Sequence, residues 1–440
     1  MRHDNARESR RLTAIDLFSG AGGFSLGFEQ AGFDVMAALD HDPVHLATYA
    51  YNFPQTELIC ADVQGVSAER VLEAARRSWE RAGNREVWDG ALDVLFGGPS
   101  CQGFSVIGRR DTSDPRNDLV FEFARLVREL KPRYFVLENV PGLLSPGYAG
   151  VMQHLLNRLR RAGYSVPPPR VLNAQDHGVP QMRRRVFIIG WRTGQQPLAW
   201  PDPMVTRRVA RDALSDLPDL DRYPALYRED ATTLSADDVS LLGNEATDFG
   251  RLMRSTTREE GDLSTSREWD RYRWTCSGLT RHSPAVVERF ANLACGSQDS
   301  VGRLQRLSPD QPAPTLRAGT GRDHGSFTSA RPIHYAHPRV ITVREAARLH
   351  SFPDWFRFHS TKWHGFRQVG NSVPPLLARA VAEQIIRASN ADPARWPNSL
   401  RLGEERLLSL SLTEAADHFG FDRALLPSDV RRATEARQAA

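Results

Sequence analysis

DLFSGAGGFSLGF, Asp16 to Phe28, stands where a short apolar run gives way to helix-compatible sequence. Gly20, Gly22 and Gly23 let a backbone turn tightly and approach a ligand closely, and the amides opening the next helix favour a polar or anionic group. The following apolar run, Val35–Asp40, ends in an acid about where the ribose-binding carboxylate of a nucleotide site belongs. A third run, Glu57–Cys60, is followed by Asp62 and Val63. Taken alone, such a turn also suits a nicotinamide or flavin site, or no ligand at all, and GAGG departs from the GxGxxG spacing. Its shape suits a cofactor with an adenosine and no pyrophosphate.

Outward from this turn, strand and helix signals alternate through the first 191 residues, the pattern of an α/β fold with a mostly parallel, Rossmann-like sheet. Strands are expected at Leu12–Phe18, Val35–Asp40, Glu57–Cys60, Leu92–Gly97, Tyr134–Glu138, Ser165–Leu172 and Arg185–Trp191. Helices are expected near Gly23–Ala31, Pro43–Asn52, Ala68–Arg81, Leu119–Leu130 and Val151–Ala162. The rhythm then stops, and returns at Val343–Leu349 and Leu376–Ala388. The expected division is a core at 1–191, a smaller irregular domain at 192–330, a segment returning to the core at 331–390, and an amphipathic appendage at 391–440.

Hydrophobic residues at 40% and charged residues at 25% exclude a disordered or fibrous chain. No run of 18 apolar residues is present, which excludes a spanning helix. The charged start, MRHDNARESRR, is no secretory signal, so the cytosol is the expected location. Only two lysines occur, Lys131 and Lys362, so 55 of the 57 basic residues are arginine. Guanidinium forks suit phosphates and guanine edges, although codon bias accounts for most of that excess. Between Arg207 and Ser300, 13 arginines face 17 acids, so the middle section is slightly acidic. Cys60, Cys101, Cys276 and Cys295 contain no CxxC pair, which argues against a disulfide framework or zinc ribbon. His41 and His45 are spaced like zinc ligands on a helix, but Asp42 and Pro43 read better as an N-cap and first helical residue; no metal site is expected.

Four further stretches carry chemistry. The strand at Leu92–Gly97 runs into GGPSCQGFS, Gly97 to Ser105, where Pro99 holds a bend and Cys101 follows at the carboxyl end of a central strand. A single cysteine is more often an inert core residue, but Gln102, Gly103 and Ser105 make this surrounding polar. Glu138-Asn139-Val140 ends the next strand, so adjacent strands bring a thiol and a carboxyl group to one edge. In QDHGVPQMRRRVFIIG, Gln175 to Gly190, Arg183 and Arg185 share one strand face and Arg184 takes the other. QVGNSVPP, Gln368 to Pro375, precedes a helix that Asn371 and Ser372 are placed to cap.

In type, order and spacing these pieces resemble the DNA (cytosine-5)-methyltransferase family over residues 12–191 and 303–388. The resemblance implies an S-adenosyl-L-methionine site built from Asp16, Phe18, Ser19, Gly20, Gly22, Gly23, Asp40, His41, Asp62, Val63, Pro99, Asn371 and Val373. Asp40 stands where many members carry Glu. The resemblance also implies Cys101 as nucleophile and Glu138 as acid, with Arg185 on the base and Arg183 positioning thiolate or base. Ala313-Pro314-Thr315-Leu316 is similar to the segment that supports the recognition domain. The implied partner is double-stranded DNA in a cleft between two lobes, with the 192–330 domain choosing the target. DNA contacts are expected from Gln102, Ser105, Arg109, Arg271, Arg273, Arg281, Arg317 and Arg322. A restriction–modification setting with a cognate endonuclease follows by context, as does a monomer. A tRNA-methylating relative would carry Cys-Phe-Thr where this chain has Cys276-Ser277-Gly278, and a non-catalytic DNA-binding regulator would not need Cys101 and Glu138.

Overall fold

The computed structural model describes residues 10–82, 88–99, 118–244, 246–319 and 331–426. Eight strands form one sheet: β1 (Leu12–Leu17), β2 (Phe33–Asp40), β3 (Glu57–Cys60), β4 (Val94–Gly97), β5 (Tyr134–Asn139), β6 (Tyr164–Ser165), β7 (Arg170–Asn173) and β8 (Arg184–Arg192). Their order is β3-β2-β1-β4-β5-β8-β6, with β7 also paired to β8. The first five are parallel, whereas β8 runs antiparallel to β5. Strand succession therefore reverses between β1 and β4, and a crevice opens outside the carboxyl ends of strands at such a point. Both the glycine turn after β1 and Pro99 after β4 sit there. Leu17 faces Gly97 in the pairing, and a Cβ on Gly97 would lie 2.3 Å from the Leu17 carbonyl oxygen. Only glycine lets the two strand ends converge.

Every residue of β1 is buried because both faces of the sheet are covered. Ala14, Val94, Phe96, Val136 and Phe187 pack on one side with α1 (Gly23–Ala31) and α12 (Pro375–Ser389). Ile15, Leu17, Leu95, Leu137 and Ile188 pack on the other with α3 (Ala68–Arg81), α4 (Leu119–Leu130) and α5 (Ala149–Arg161). Alternation along each strand thus feeds two cores. Helix α2 (Pro43–Asn52) opens as expected: the Asp42 carboxylate accepts from the amides of Val44 and His45 at 3.0 and 3.2 Å, with Pro43 next.

Several expectations need correcting. The single strand expected at Ser165–Leu172 is two, β6 and β7, because Pro167, Pro168 and Pro169 have no amide to donate to a ladder. The expected cap at Asn371 and Ser372 is absent. Asn371 instead ends α11 (Lys362–Asn371), the Ser372 hydroxyl donates to the Gln368 carbonyl at 2.7 Å, and α12 starts after Pro374 with no side-chain cap. The appendage is α-helical only over α13 (Leu412–His418) among the described residues, with short 3-10 turns at Glu405–Ser409 and Arg423–Leu425. Leu407, Leu408 and Ala415 pack on Val44, Ala47 and Tyr51 of α2.

Buried contacts cross the boundary expected at residue 192. Helices α6 (Ala210–Leu214) and α8 (Asp248–Met253) contribute Ala210, Leu214, Phe249 and Met253 to the α1-side core. Arg267 forks onto Glu29 of α1 with two bonds of 2.8 Å, and Arg348 of α10 (Val343–Leu349) reaches Asp216 at 2.6 Å. A separate apolar cluster is confined to Leu220, Leu226, Leu234, Leu242, Trp274 and Leu279, with Leu242 on α7 (Ala236–Asn244). Short α9 (Pro284–Ala291) packs Phe290 on Ile333 and Val340.

Candidate active site

The glycine turn is held open from behind. Phe18 and Gly20 take left-handed backbone with φ of 61° and 55°, and Gly22 follows at 98°. The Asp40 carboxylate accepts from the Gly20 amide with one oxygen and from the Asp42 amide with the other, both at 2.8 Å. Burial opposes ionisation of Asp40, but the hydrogen bond and charge of His41, with the charge of His45, hold it well below the usual carboxylate range. His41, its ring largely exposed, is pushed up to about 9 by its hydrogen bond to Asp40. Asp40 therefore braces the turn with both oxygens, and the one that accepts from Gly20 keeps a further lone pair.

Asp16 is fully buried below the turn. Ser25 donates to one of its oxygens at 2.6 Å and Tyr49 donates to Ser25 at 2.8 Å. Its other oxygen has no hydrogen-bond partner, nor has the buried hydroxyl of Ser19. No atom lies within 4 Å of where a Gly20 side chain would start. Two unsatisfied buried polar groups beside open space are what a polar organic ligand would fill. The far wall is Ser372-Val373: a Cβ on Gly23 would lie 2.7 Å from the Val373 carbonyl oxygen. Asn371 and Asp62 are exposed, while Val63 and Pro99 are buried.

The chemical groups lie one strand further along. Arg185 Nε is 2.9 Å from Glu138 Oε1, across the β5–β8 pair. The other Glu138 oxygen faces Gly98, where a Cβ would come within 3.0 Å of it. Asn139 donates to the Pro99 carbonyl at 3.1 Å, fastening the β5 end to the chain that leads to Cys101. Burial pushes the Glu138 carboxyl above its ordinary value, outweighing the charges of Arg185 and Arg183. A carboxyl group kept protonated to higher pH is suited to donate a proton.

Arg183, expected to position thiolate or base, commits its guanidinium to backbone. It donates to the carbonyls of Leu316, Gly370 and Ser372 at 2.9, 2.7 and 2.9 Å, because its side chain is 1% exposed and turned into the core. Gln181 beside it donates to the Leu349 carbonyl and lies 3.0 Å from His350 Nδ1, while its oxygen accepts from the Leu316 amide. His350 Nε2 is 3.0 Å from the Ser372 carbonyl, so we assign the ring proton to Nε2 and the acceptor to Nδ1. Gln181, Arg183 and His350 thus lock the wall behind the glycine turn. Sequence reading missed His350 altogether, since a lone histidine at the end of a helix carries no signal. It quoted Asn139 beside Glu138 but gave it no role.

The expected DNA contacts scatter. Arg271, Arg273, Arg281 and Arg317 are exposed, but Arg273 pairs with Glu405 at 2.6 Å and Arg281 lies over the Tyr227 ring. Cys101, Gln102, Ser105, Arg109 and Arg322 lie outside the described residues.

Fold and site together define a Rossmann-like α/β enzyme of the methyltransferase type. The chain belongs to the C-5 cytosine-specific DNA methylase family, which it matches over residues 12–387, and it is a DNA cytosine-5 methyltransferase. It is 44% identical over 417 residues to the type II methyltransferase M.XorII of Xanthomonas oryzae pv. oryzae, covering 94% of each chain. It is 32% identical to the type II methyltransferase M.AgeI of Thalassovita gelatinovora, covering 85% of this chain and 99% of that one. Among solved structures, a prophage-encoded protein described as a DNA modification methyltransferase (E. coli) superposes with a TM-score of 0.69 at 34% identity, over 86% of this chain and 99% of that one. No helix among the described residues is long and apolar enough to cross a membrane.

Proposed function

We propose that the enzyme uses S-adenosyl-L-methionine to methylate C5 of a cytosine flipped out of duplex DNA, through a bond between Cys101 and C6. The observation that carries this reading is the Glu138–Arg185 pair, set against Gly98 and tied through Asn139 to the backbone entering the Cys101 segment. The residues around the glycine turn fit the cofactor. Asp16 offers an unpaired oxygen to an ammonium group, Asp40 offers a lone pair on one oxygen to a ribose hydroxyl, and Phe18 offers an aromatic face to adenine. When bound, the cofactor supplies a methyl group on a positive sulfur.

The remaining chemistry belongs to the chain. Cytosine C5 is a poor nucleophile, and thiolate addition at C6 converts the ring into an enamine. Glu138 donates its proton to N3 as charge builds there, and Arg185 holds O2. The C5 carbon then takes the methyl group. The C5 proton then leaves to a base, and its electron pair forms the C5–C6 double bond. The C6–sulfur bond breaks with its pair returning to Cys101, and N3 gives its proton back to Glu138. A ring inside a duplex exposes neither face, so the base must leave the stack.

The likeness to the type II methyltransferase M.XorII supports a restriction–modification setting. In the same reading the enzyme is a cytoplasmic monomer that takes its target choice from residues 192–330 and shares its site with an endonuclease. A methyl-transfer assay on duplex DNA and on tRNA, followed by sequencing of methylated cytosines, tests this. Label in duplex DNA at one short sequence is expected; label in tRNA alone overturns the reading.

The cofactor assignment has its own test. Asp40→Ala removes a charged acceptor that braces the turn, at a cost of about 1.5–3 kcal/mol, or roughly tenfold to a hundredfold in affinity. Phe18→Ala is expected to weaken binding as well, since its partly buried ring is the aromatic face proposed for adenine. Calorimetric titration with S-adenosylmethionine reads both, and unchanged affinity in the two variants rejects the assignment.

A further inference from the structure

We propose that Arg184 and Arg317, together with Met182 and Thr315, form a face that grips the DNA backbone beside the target nucleotide, an inference that rests on the transfer to duplex DNA proposed above. Two segments meet at this face. The Met182 amide donates to the Ala313 carbonyl at 2.8 Å, the Ala313 amide donates to Pro180 at 2.9 Å, and the Thr315 hydroxyl donates to Met182 at 2.6 Å. Burial alternates along the first segment: Gln181 and Arg183 point inward, whereas Met182 and Arg184 are exposed. In the second, Ala313 and Leu316 are buried, and Thr315 and Arg317 are exposed.

The inward residues fix the backbone beneath the outward ones. Gln181 and Arg183 are anchored to His350, Leu316, Gly370 and Ser372. A Cβ on Gly370 would lie 2.4 Å from both the Arg317 carbonyl carbon and the Ala318 amide nitrogen, so this stretch rests directly on the end of α11. Cations mounted on such a base lose little backbone freedom when they meet a ligand.

Charge says which ligand. Neighbouring arginines have acidic partners: Arg185 has Glu138, Arg207 has Asp176 and Arg208 has Glu259. Among the described residues Arg184 and Arg317 have no carboxylate partner, and their guanidinium groups make no hydrogen bond. One such arginine on a surface is ordinary. Two on a pinned pair of segments, with Met182 46% exposed alongside, make a cationic strip with an apolar element. Guanidinium forks match phosphate oxygens, and the thioether suits the edge of a deoxyribose. Successive side chains of an extended chain point oppositely. With Arg185 turned to Glu138, Arg184 points to the opposite side, away from the Glu138 carboxyl, where a backbone contact rather than a base contact is expected.

Phosphate contacts act on every sequence alike, whereas base contacts specify. Binding of the full-length protein to a duplex with its methylated site, and to an unrelated duplex, is measured between 50 and 200 mM salt for the wild type, Arg184→Gln, Arg317→Gln and the double variant. Each substitution is expected to weaken both duplexes by the same factor and to reduce the slope of log affinity against log salt by about 0.9. The double variant is expected to reduce it by about twice that, with the methylated sequence unchanged. An unaltered salt slope in the double variant overturns the proposal, and so does relaxed sequence choice at one position, which would mean base reading. Failure of the underlying reading shows separately, as a wild type that puts no methyl group into duplex DNA.

Discussion

Duplex DNA with 5-fluorocytosine at the methylated position is expected to remain joined to the protein through denaturing electrophoresis. Once C5 carries the new methyl group, release requires the other C5 substituent to leave without its bonding electrons. Hydrogen leaves as a proton, but fluorine cannot leave as a cation, so the C6–sulfur bond persists. The band is expected only with S-adenosylmethionine, since methylation at C5 blocks reversal of the addition. Cys101→Ser is expected to abolish it while DNA binding remains, because a hydroxyl is far less ionised and less nucleophilic than a thiol. The other cysteines are poor candidates for physical reasons. Burial pushes the Cys60 thiol up to about 12 and raises that of Cys276. Cys295 is exposed, with its thiol directed to the Tyr335 carbonyl. Replacing any of these three is expected to leave trapping intact. A persistent band in Cys101→Ser, or an adduct mapped to another cysteine, rejects the covalent mechanism.

What could be read from the sequence, and what could not, follows from the range of the interactions. The glycine turn is legible because Gly20 and Gly22 answer a local demand for positive φ, and the Asp42-Pro43 start of α2 because a cap acts over three residues. The central strands are legible because both faces are buried, which forces uninterrupted apolar runs. Helix α11 carries no comparable signal. KWHGFRQVGN contains two glycines, poor helix formers, and owes its form to burial of Phe366 and Val369 and to Gly365 packing beneath Val343. The anchoring of the middle section is equally invisible: Arg267 and Glu29 are 238 residues apart, and neither looks unusual locally. Within the site, the chemical types were legible but their partners were not. Arg183 and Arg185 look equivalent in QMRRR, yet one is locked to three carbonyls of the core and the other meets Glu138.

Glu138→Gln is expected to lower the single-turnover rate of methyl transfer by about 10²–10⁴, the range for losing a positioned general acid, while DNA affinity stays near that of the wild type. The amide keeps the shape against Gly98 and removes the transferable proton, so trapping on fluorocytosine DNA should slow rather than vanish. The pH profile adds a sharper demand. Burial holds the Glu138 carboxyl above its ordinary value, and the charges of Arg185 and Arg183 only partly oppose this. Its contribution is therefore present at low pH and lost as pH rises through that raised value, giving the rate an alkaline limb. Removing a cation disfavours the carboxylate, so Arg185→Gln is expected to move that limb to higher pH. The same variant should lower the plateau, because the contact to O2 of the base goes with the guanidinium. Loss of rate and displacement of the limb are separate readouts, and mere loosening of the site would produce only the first. A wild-type rate in Glu138→Gln, or an alkaline limb that stays put in Arg185→Gln, would remove Glu138 as the acid.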